Sequence, residues 1–296
     1  MLKKILFYLI IISLFSCQGR QRDDLSVPGA ELDRGEVKIS EQAMQEIIGN
    51  VSSPVEMAAI IKSLGLGYSS RYLSDLNHID NHSTSFKMAY SLGMLGADLG
   101  YLNVYEKTGT SINYLASINK LADGLKISQF FDFNSLKRFA TSNGDLDSLM
   151  YFSIHSFNQM DEYLRKTDRS NLSALMVAGV WIEGMYLATQ VATDHPHDKL
   201  SEFIGEQKFT LNNLLVILKN YERDKQFSDL IADFEQIKFD FESVKISYII
   251  GEPEAVEKDG MLTVVQQESS VIDISPETLK KIINTTKRVR NKHLMM

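Results

Sequence analysis

Apolar residues recur at steps of three and four along almost the whole chain between Ser40 and Ile250. An α-helix has about 3.6 residues per turn, so this spacing puts the apolar side chains of each segment on one face. Within this stretch the prolines are Pro54 and Pro196, and both stand where a helix should begin. The sequence therefore predicts an all-α fold, either a helical bundle or a stack of antiparallel helical hairpins.

The longest apolar stripe runs from Asp224 to Ile249, and a second one runs from Asp145 to Lys166. Both stripes are expected to pack into the core. The same spacing predicts further helices at residues 41–49, 55–64, 69–77, 84–106, 110–126, 134–142, 170–193 and 199–221.

Two of these helices, 84–106 and 170–193, are apolar on most faces and are therefore expected to be buried on several sides. Each carries several glycines and alanines at helical steps, which indicates close approach between backbones. An offset of 85 residues aligns Asp98 with Glu183 and Tyr101 with Tyr186. This alignment indicates a duplicated helical hairpin; chance similarity between two apolar helices is the alternative.

Asp98 and Glu183 are the candidate site residues, because a carboxylate inside an apolar helix must find hydrogen-bond donors or raise its pKa. If the two helices pack as a duplicated pair, the carboxylates face one another. A pocket between helices 84–106 and 170–193 would then bind a small molecule or a metal ion. The alternative is that each carboxylate only accepts structural hydrogen bonds from a helix end or a tyrosine.

After Gly251 the pattern changes. Asp259 and Gly260 lie between two short segments with β-branched residues, which predicts a small β-hairpin over 254–265. A last helix is predicted from Ser275 to about Asn291, and residues 251–296 are expected to form an appendage to a helical body at 40–250. The last helix ends in a basic cluster that consists of Lys287, Arg288, Arg290 and Lys292. We expect this cluster to be a solvated helix end that suits the helix dipole; an anchor on anionic lipid is the alternative.

The N-terminus has the form of a signal peptide over residues 1–16, in which Lys3 and Lys4 precede an apolar run from Ile5 to Phe15. A run this short does not span a hydrocarbon core, which needs about 20 residues. Leu14-Phe15-Ser16-Cys17 resembles the lipobox of bacterial lipoproteins, although Phe15 departs from the commonest pattern. A lone cysteine is usually a small buried hydrophobe, but this one directly follows the apolar run and has no core to enter.

The lipobox resemblance implies that Cys17 carries diacylglycerol and acyl chains such as palmitate, and that membrane lipid is a partner of the mature chain. In such lipoproteins an aspartate after the cysteine favours the inner membrane. Gln18 is not aspartate, so the resemblance implies the outer membrane. Residues 17–39 are rich in charge and contain Pro28 and Gly29, which predicts a flexible tether.

Composition excludes several classes of function. The net charge of −7 becomes −9 when Lys3 and Lys4 are removed with the signal peptide, and an acidic chain is a poor partner for nucleic acid. A single cysteine excludes an intramolecular disulfide and a CxxC site. Neither a Gly-x-Ser-x-Gly elbow nor a phosphate-binding Walker loop is present, so the sequence favours a non-enzymatic role and predicts no cofactor.

Histidines cluster with aspartates at two places, 78–82 and 194–198, where His78, His82, His195 and His197 lie near Asp80, Asp194 and Asp198. Imidazole and carboxylate are zinc and nickel ligands, but neither stretch has the His-Glu-x-x-His arrangement. Both stretches lie at predicted helix ends or loops, where these residues commonly serve as caps. No metal site is predicted.

The segment VAGVWIEGMYLATQ at 177–190, with the lipobox, the hairpin region and the last helix, is similar to uncharacterised all-helical lipoproteins of Bacteroidota. This resemblance implies localisation and fold, and it lends no activity. We therefore expect a membrane-anchored binding or scaffolding protein with a partner in the cell envelope. A small-molecule or metal-binding protein that uses the pocket at Asp98 and Glu183 is the alternative.

Overall fold

The computed structural model describes residues 55–141, 146–258 and 261–294. Cys17, the signal peptide, the tether and the predicted helix at 41–49 lie outside the described residues. All described residues fall within one compact unit, Ile39–Met296.

The described chain is mostly α-helical, and the all-α prediction is confirmed. Its elements are, in chain order, α1 (Glu56–Ser63), α2 (Ser85–Val104), α3 (Thr108–Gly124), α4 (Phe133–Thr141), α5 (Leu146–Lys166), α6 (Ser170–Asp194), α7 (Asp198–Lys219), α8 (Lys225–Phe241), β1 (Lys245–Lys258), β2 (Met261–Asp273) and α9 (Pro276–Leu294). Short 3₁₀ turns occur at Ser70–Tyr72, Leu76–Asn81 and Ser128–Phe130.

Helices α2 and α6 form the centre of the bundle and pack against each other along their length. Other helices surround them: α3 and α5 contact α2, while α1, α5, α7 and α9 contact α6. This position explains why both sequences are apolar on most faces. By length and composition α6 would also suit a membrane span, with a mean hydropathy of 1.4, but its most apolar stretch is wholly buried in the bundle.

The predicted helix at 69–77 is wrong, because this segment forms two 3₁₀ turns joined by extended backbone at Leu73. Serine and aspartate side chains there compete with the helix for backbone hydrogen bonds. The Asp75 carboxylate accepts a hydrogen bond from the backbone N–H of Asn77 at 3.0 Å. The break leaves the backbone N–H of Ser74 free to reach a side chain of α2.

The predicted helix at 224–249 is correct only as far as Phe241, since β1 begins at Lys245. Phe241, Val244 and Tyr248 continue the helical spacing, but Lys245–Ile250 is rich in β-branched and aromatic residues and leads to a glycine and a proline. These features favour a strand. The helical body therefore does not extend to residue 250.

The predicted hairpin is confirmed and is longer than its sequence signal indicates. β1 and β2 pair antiparallel from Lys245 opposite Asp273 to Lys258 opposite Met261, with an irregularity between Ile250 and Pro253. The turn at 259–260 lies outside the described residues. At the base of the hairpin, Ile246 and Ile272 pack against the helical core.

The last helix, α9, is part of the bundle rather than an appendage, because it packs against α6 and α8. Its buried residues follow one stripe: Thr278, Ile282, Thr286, Val289, Arg290, His293 and Leu294. The expectation of a solvated basic end is therefore wrong for Arg290, which is only 4% exposed.

Candidate functional site

The two central helices run parallel and meet through glycine. A Cβ on Gly93 would lie 1.9 Å from the carbonyl oxygen of Met176, and a Cβ on Gly179 would lie 2.0 Å from that of Tyr90. The two contacts are equivalent at an offset of 86 residues, one more than the offset that best aligns the sequences. Only glycine permits this approach, and it brings the following turns of both helices together.

Asp98 and Glu183 lie on those following turns, and both are completely buried. The guanidinium of Arg290, on α9, forms a two-point ion pair with Glu183. Its Nε lies 2.8 Å from Oε2, and its Nη2 lies 2.7 Å from Oε1. A planar guanidinium matches a carboxylate in this geometry, which makes the pair both strong and directional.

Ser74 connects this pair to Asp98. Its hydroxyl accepts a hydrogen bond from Arg290 Nη2 at 2.8 Å, and its backbone N–H donates to Asp98 Oδ2 at 3.1 Å. The carbonyl of Ser74 accepts from the hydroxyl of Tyr114 at 2.6 Å. The predicted carboxylates are thus brought together, in a closed polar cluster that Arg290 and Ser74 fill.

The charges in this cluster do not balance if both acids are ionised. Burial, and then the neighbouring Glu183, raise the pKa of Asp98 well above its usual range. Asp98 Oδ1 has no hydrogen-bond partner among the described residues. Burial alone would lower the pKa of Arg290, but Glu183 more than offsets this and raises it above its usual value. We conclude that Arg290 pairs with Glu183 and that the raised pKa of Asp98 favours its neutral form.

An aromatic ring covers the outer side of the guanidinium. The centroid of the Tyr186 ring lies 4.2 Å from Arg290 Cζ, within the range of a cation–π interaction. Trp181, two residues before Glu183, points elsewhere and donates from its indole to Gln207 at 3.2 Å. The cluster is therefore closed by the side chains of several helices.

A second buried polar pair lies one turn further along α9. His293 Nε2 is 2.8 Å from Asp233 Oδ2, and the same oxygen accepts from Lys292 Nζ at 2.6 Å. The imidazole ring of His293 packs against the Tyr90 ring, with centroids 5.5 Å apart. Burial lowers the pKa of His293, although Asp233 opposes this effect. The neutral ring donates to the acceptor-only carboxylate, which leaves Nδ1 as an acceptor.

His293 and Tyr90 also line a surface cleft of about 140 Å³ between α2, α8 and α9. Its other lining residues are Phe86, Lys87, Gln226 and Asp229. The cleft lies at the first turns of α2 and α8, and both turns are fixed by side-chain caps. Thr84 Oγ1 accepts from the N–H of Lys87 at 3.2 Å, and Asp224 accepts from the N–H of Gln226 at 2.7 Å.

The sequence prediction missed Arg290, Asp233 and His293. Arg290 lies in a basic run that resembles a solvated helix end, and its partner Glu183 is 107 residues earlier. The sequence does contain one signal that these two residues are buried: Arg290 and His293 fall on the apolar stripe of α9. A cation on such a stripe needs a buried anion.

The histidine-rich stretches do not assemble a ligand set in the described part of the chain, where no group of three or more His, Cys, Asp or Glu side chains converges. Asp194 is engaged by the hydroxyl of Tyr72 at 2.5 Å and by Arg71 at 2.9 Å. His78 Nε2 lies 3.9 Å from Asp75 Oδ2.

Comparison with known proteins does not assign the chain to a family. No known protein family matches the chain, and neither a curated protein nor a solved structure is significantly similar to it.

Proposed function

We propose that this chain is a lipid-anchored protein of the bacterial cell envelope, held at the outer membrane by acylated Cys17, whose helical body binds a protein partner. The apolar run followed by Leu14-Phe15-Ser16-Cys17 supports the anchor. Two or more acyl chains make such attachment stable, since each buried methylene contributes about 0.8 kcal/mol.

The partner-binding proposal rests on an exposed aromatic pair at the junction of α7 and the hairpin. Phe209 is 45% exposed and Tyr248 is 64% exposed, and their ring centroids are 6.4 Å apart. Large aromatic side chains are enriched at protein interfaces, where they bury much area at little cost in conformational entropy. A protein that covers both rings with apolar side chains fits this surface.

The hairpin beside this pair offers a second means of binding. In the described part of the chain β1 and β2 pair only with each other, so each strand has an outer edge of backbone N–H and C=O groups. Such an edge accepts a strand from another protein. A hydrogen bond from Ser270 to Glu206, at 3.2 Å, ties the base of the hairpin to α7 next to the rings.

Site-specific photocrosslinking in native membranes tests this partner. A crosslinker at position 209 or 248 of the full chain should capture the same protein, and Tyr248→Asp should abolish capture from position 209. Gln129 is an exposed control in the turn Ser128–Phe130, away from the hairpin elements, and should not capture that protein. Capture of different proteins from 209 and 248, or equal capture at 129, would contradict the proposal.

Replacement of Cys17 tests the anchor separately. The Cys17→Ala chain should incorporate no labelled palmitate and should no longer be processed as a lipoprotein. Cys17 is the only cysteine in the chain, so any diacylglyceryl thioether reports on this position alone. A Cys17→Ala chain that still carries acyl chains would show that the lipobox interpretation is wrong.

A further inference from the structure

The solvent-facing side of α9 carries a concentration of positive charge. Four of its exposed side chains are Lys280, Lys281, Lys287 and Arg288. At 3.6 residues per turn these positions fall within about 120° of the helix circumference, opposite the buried stripe. We call this side the basic face of α9. The only acidic residue of Pro276–Leu294 is Glu277, in the first turn, so no acid lies between the four cations.

The cations of the basic face are not neutralised by neighbouring helices. Lys280, Lys281 and Lys287 make no hydrogen bond or ion pair with any described residue. Arg288 donates to the amide of Gln236 at 2.6 Å, and a neutral partner leaves its charge uncompensated. The face therefore presents four positive charges to the solvent.

Elsewhere on this acidic chain, exposed lysines commonly have a carboxylate beside them. On α5, Lys166 pairs with Glu162 at 2.6 Å, and on α8, Lys225 pairs with Asp229 at 3.1 Å. The basic face departs from this pattern within a chain whose net charge is −7. A surface with one sign of charge attracts a partner of the opposite sign.

The basic face has no apolar residue with which to enter a hydrophobic medium. None of the exposed large apolar side chains in the described part of the chain belongs to α9. A basic helix of this kind is attracted to anionic lipid through charge alone. Such a helix lies on the headgroups, and salt weakens its attachment.

The proposed anchor brings this face close to a bilayer. Cys17 lies 38 residues before Val55, where the described chain begins, and a segment of that length spans at most about 130 Å. The described chain also begins near α9, because Met57 lies against Gly184 of α6 and Arg290 bonds to the adjacent Glu183. Attachment at Cys17 thus raises the effective concentration of the face at the lipid surface.

The net negative charge of the chain does not prevent this contact. At physiological ionic strength, exposed charges more than about 8 Å apart are largely screened from each other. A flat bilayer that approaches α9 therefore interacts with the four cations rather than with the whole chain.

We propose that the basic face of α9 binds the anionic headgroups of the membrane that holds Cys17, so that the helical body lies with α9 against the lipid. This proposal rests on the proposed function, because acylated Cys17 supplies the proximity. Each lysine near an anionic bilayer contributes about fivefold in affinity. The three unpaired lysines together contribute about 100-fold.

Sedimentation with lipid vesicles tests the proposal. The mature chain, residues 17–296 with Cys17→Ala, has no acyl chains, so its binding reports on the protein surface alone. We expect it to bind vesicles with about one third phosphatidylglycerol at least about tenfold more tightly than vesicles of phosphatidylcholine, and salt at about 0.5 M should release it. Equal binding to the two kinds of vesicle would overturn the proposal.

Replacement of the unpaired lysines assigns the binding to α9. The combined variant Lys280→Gln, Lys281→Gln and Lys287→Gln should bind the anionic vesicles about 100-fold more weakly and keep its thermal unfolding midpoint. The matched control removes the same net charge from lysines that have acidic partners, through Lys166→Gln, Lys219→Gln and Lys225→Gln. The control should keep most of its affinity. Equal losses in the two variants would show that only net charge matters and would overturn the proposal.

A dye on the basic face tests the orientation. In the Cys17→Ala chain, Asn284→Cys provides a single labelling site at the centre of the face, and Gln129→Cys provides an exposed site outside α9. Anionic vesicles should shift the emission of an environment-sensitive dye at 284 and leave the dye at 129 unchanged. Equal shifts at both sites would contradict the proposed orientation.

Competition with duplex DNA separates a lipid surface from a general site for polyanions. DNA at the same phosphate concentration should leave the chain on the anionic vesicles, and full release by DNA would overturn the proposal. All of these measurements use a chain without acyl chains. Their failure is therefore distinct from failure of the anchor, which palmitate labelling tests.

Discussion

Arg290 neutralises one of the two buried acids beside it, and the geometry selects which one. Glu183 receives two guanidinium bonds, whereas Asp98 receives one backbone N–H and leaves Oδ1 without a partner in the described residues. The two carboxylates, equivalent in the sequence alignment, therefore have different partners. This difference makes their substitutions distinguishable.

Glu183→Gln should destabilise the protein by about 3–5 kcal/mol, because it leaves Arg290 as a buried cation without an anion. Asp98→Asn should cost less than about 1 kcal/mol, since asparagine has the shape and charge of the neutral acid. Urea unfolding at pH 7 measures both. Glu162→Gln, at an exposed glutamate paired with Lys166, is the control and should leave the midpoint unchanged. Equal losses at 183 and 98 would show that Asp98 is ionised.

His293 makes the stability depend on pH. Its pKa is lowered in the folded state, mainly by burial, so below about 6.5 the unfolded chain binds a proton that the folded chain refuses. This contribution to the unfolding free energy should therefore be greatest above that pH. It should decrease as the pH falls towards the lowered pKa of His293. Asp233 and Asp229 oppose the shift, and Lys292 adds to it.

His293→Gln should flatten this slope, since the amide still donates to Asp233 but does not titrate. Urea midpoints at pH 7.5, 6.5 and 5.5 measure the difference from wild type. Asp98 acts in the opposite sense through its raised pKa, and its effect cancels in this comparison. His82, whose pKa burial also lowers, contributes to the slope that remains. Parallel slopes in the two proteins would contradict the expectation.

Among the elements, the contact between α2 and α6 depends most closely on single residues. Gly93→Ala and Gly179→Ala would each press a methyl group into the facing backbone, at 1.9 Å and 2.0 Å. Backbone cannot move aside as a side chain does, so each change should cost about 2–3 kcal/mol or more. Thermal unfolding of the purified variants tests this.

Gly109→Ala is the matched control, because this glycine also lies in a helix but has no atom within 4 Å of an added Cβ. Helix propensity should make it neutral or stabilising by up to about 1 kcal/mol. A central glycine variant as stable as this control would show that the two helices have room to separate.

Periodicity predicted the α-helices well because a buried face forces a 3.6-residue repeat on each of them. It failed at Lys245–Ile250, because Val244 and Tyr248 continue the helical spacing from Phe241 and only the β-branched and aromatic composition indicates a strand. It failed again at 69–77, where side-chain hydrogen bonds decide the backbone. Asp98 and Glu183 were recognisable as buried acids, but their cation was not, since no local pattern links residues 107 positions apart.

At the scale of the whole molecule, the stability of the helical body should depend strongly on α9 and only weakly on the outer part of the hairpin. Removal of residues 276–296 takes away Arg290 and uncovers the stripe on α6 and α8 that α9 covers. We expect this truncated chain to lose its cooperative unfolding transition, as followed by helical circular dichroism.

Replacement of residues 251–267 by Asn-Gly is the contrasting change. Ile250 and Glu268 are opposite one another, so a two-residue turn can join them and keep the base of the hairpin. The shortened chain should keep its helical signal and a cooperative transition. A shortened hairpin that unfolds the body, or a truncated α9 that does not, would contradict this division.

The ion pair between Glu183 and Arg290 also sets an order of events during synthesis. A nascent chain that has emerged beyond α6 carries Glu183, an acid bound for the interior, but its counter-charge is still inside the ribosome. Until residue 290 is released, water is the better solvent for that carboxylate, so the central helices should remain apart. We therefore expect the bundle to close only after synthesis has ended.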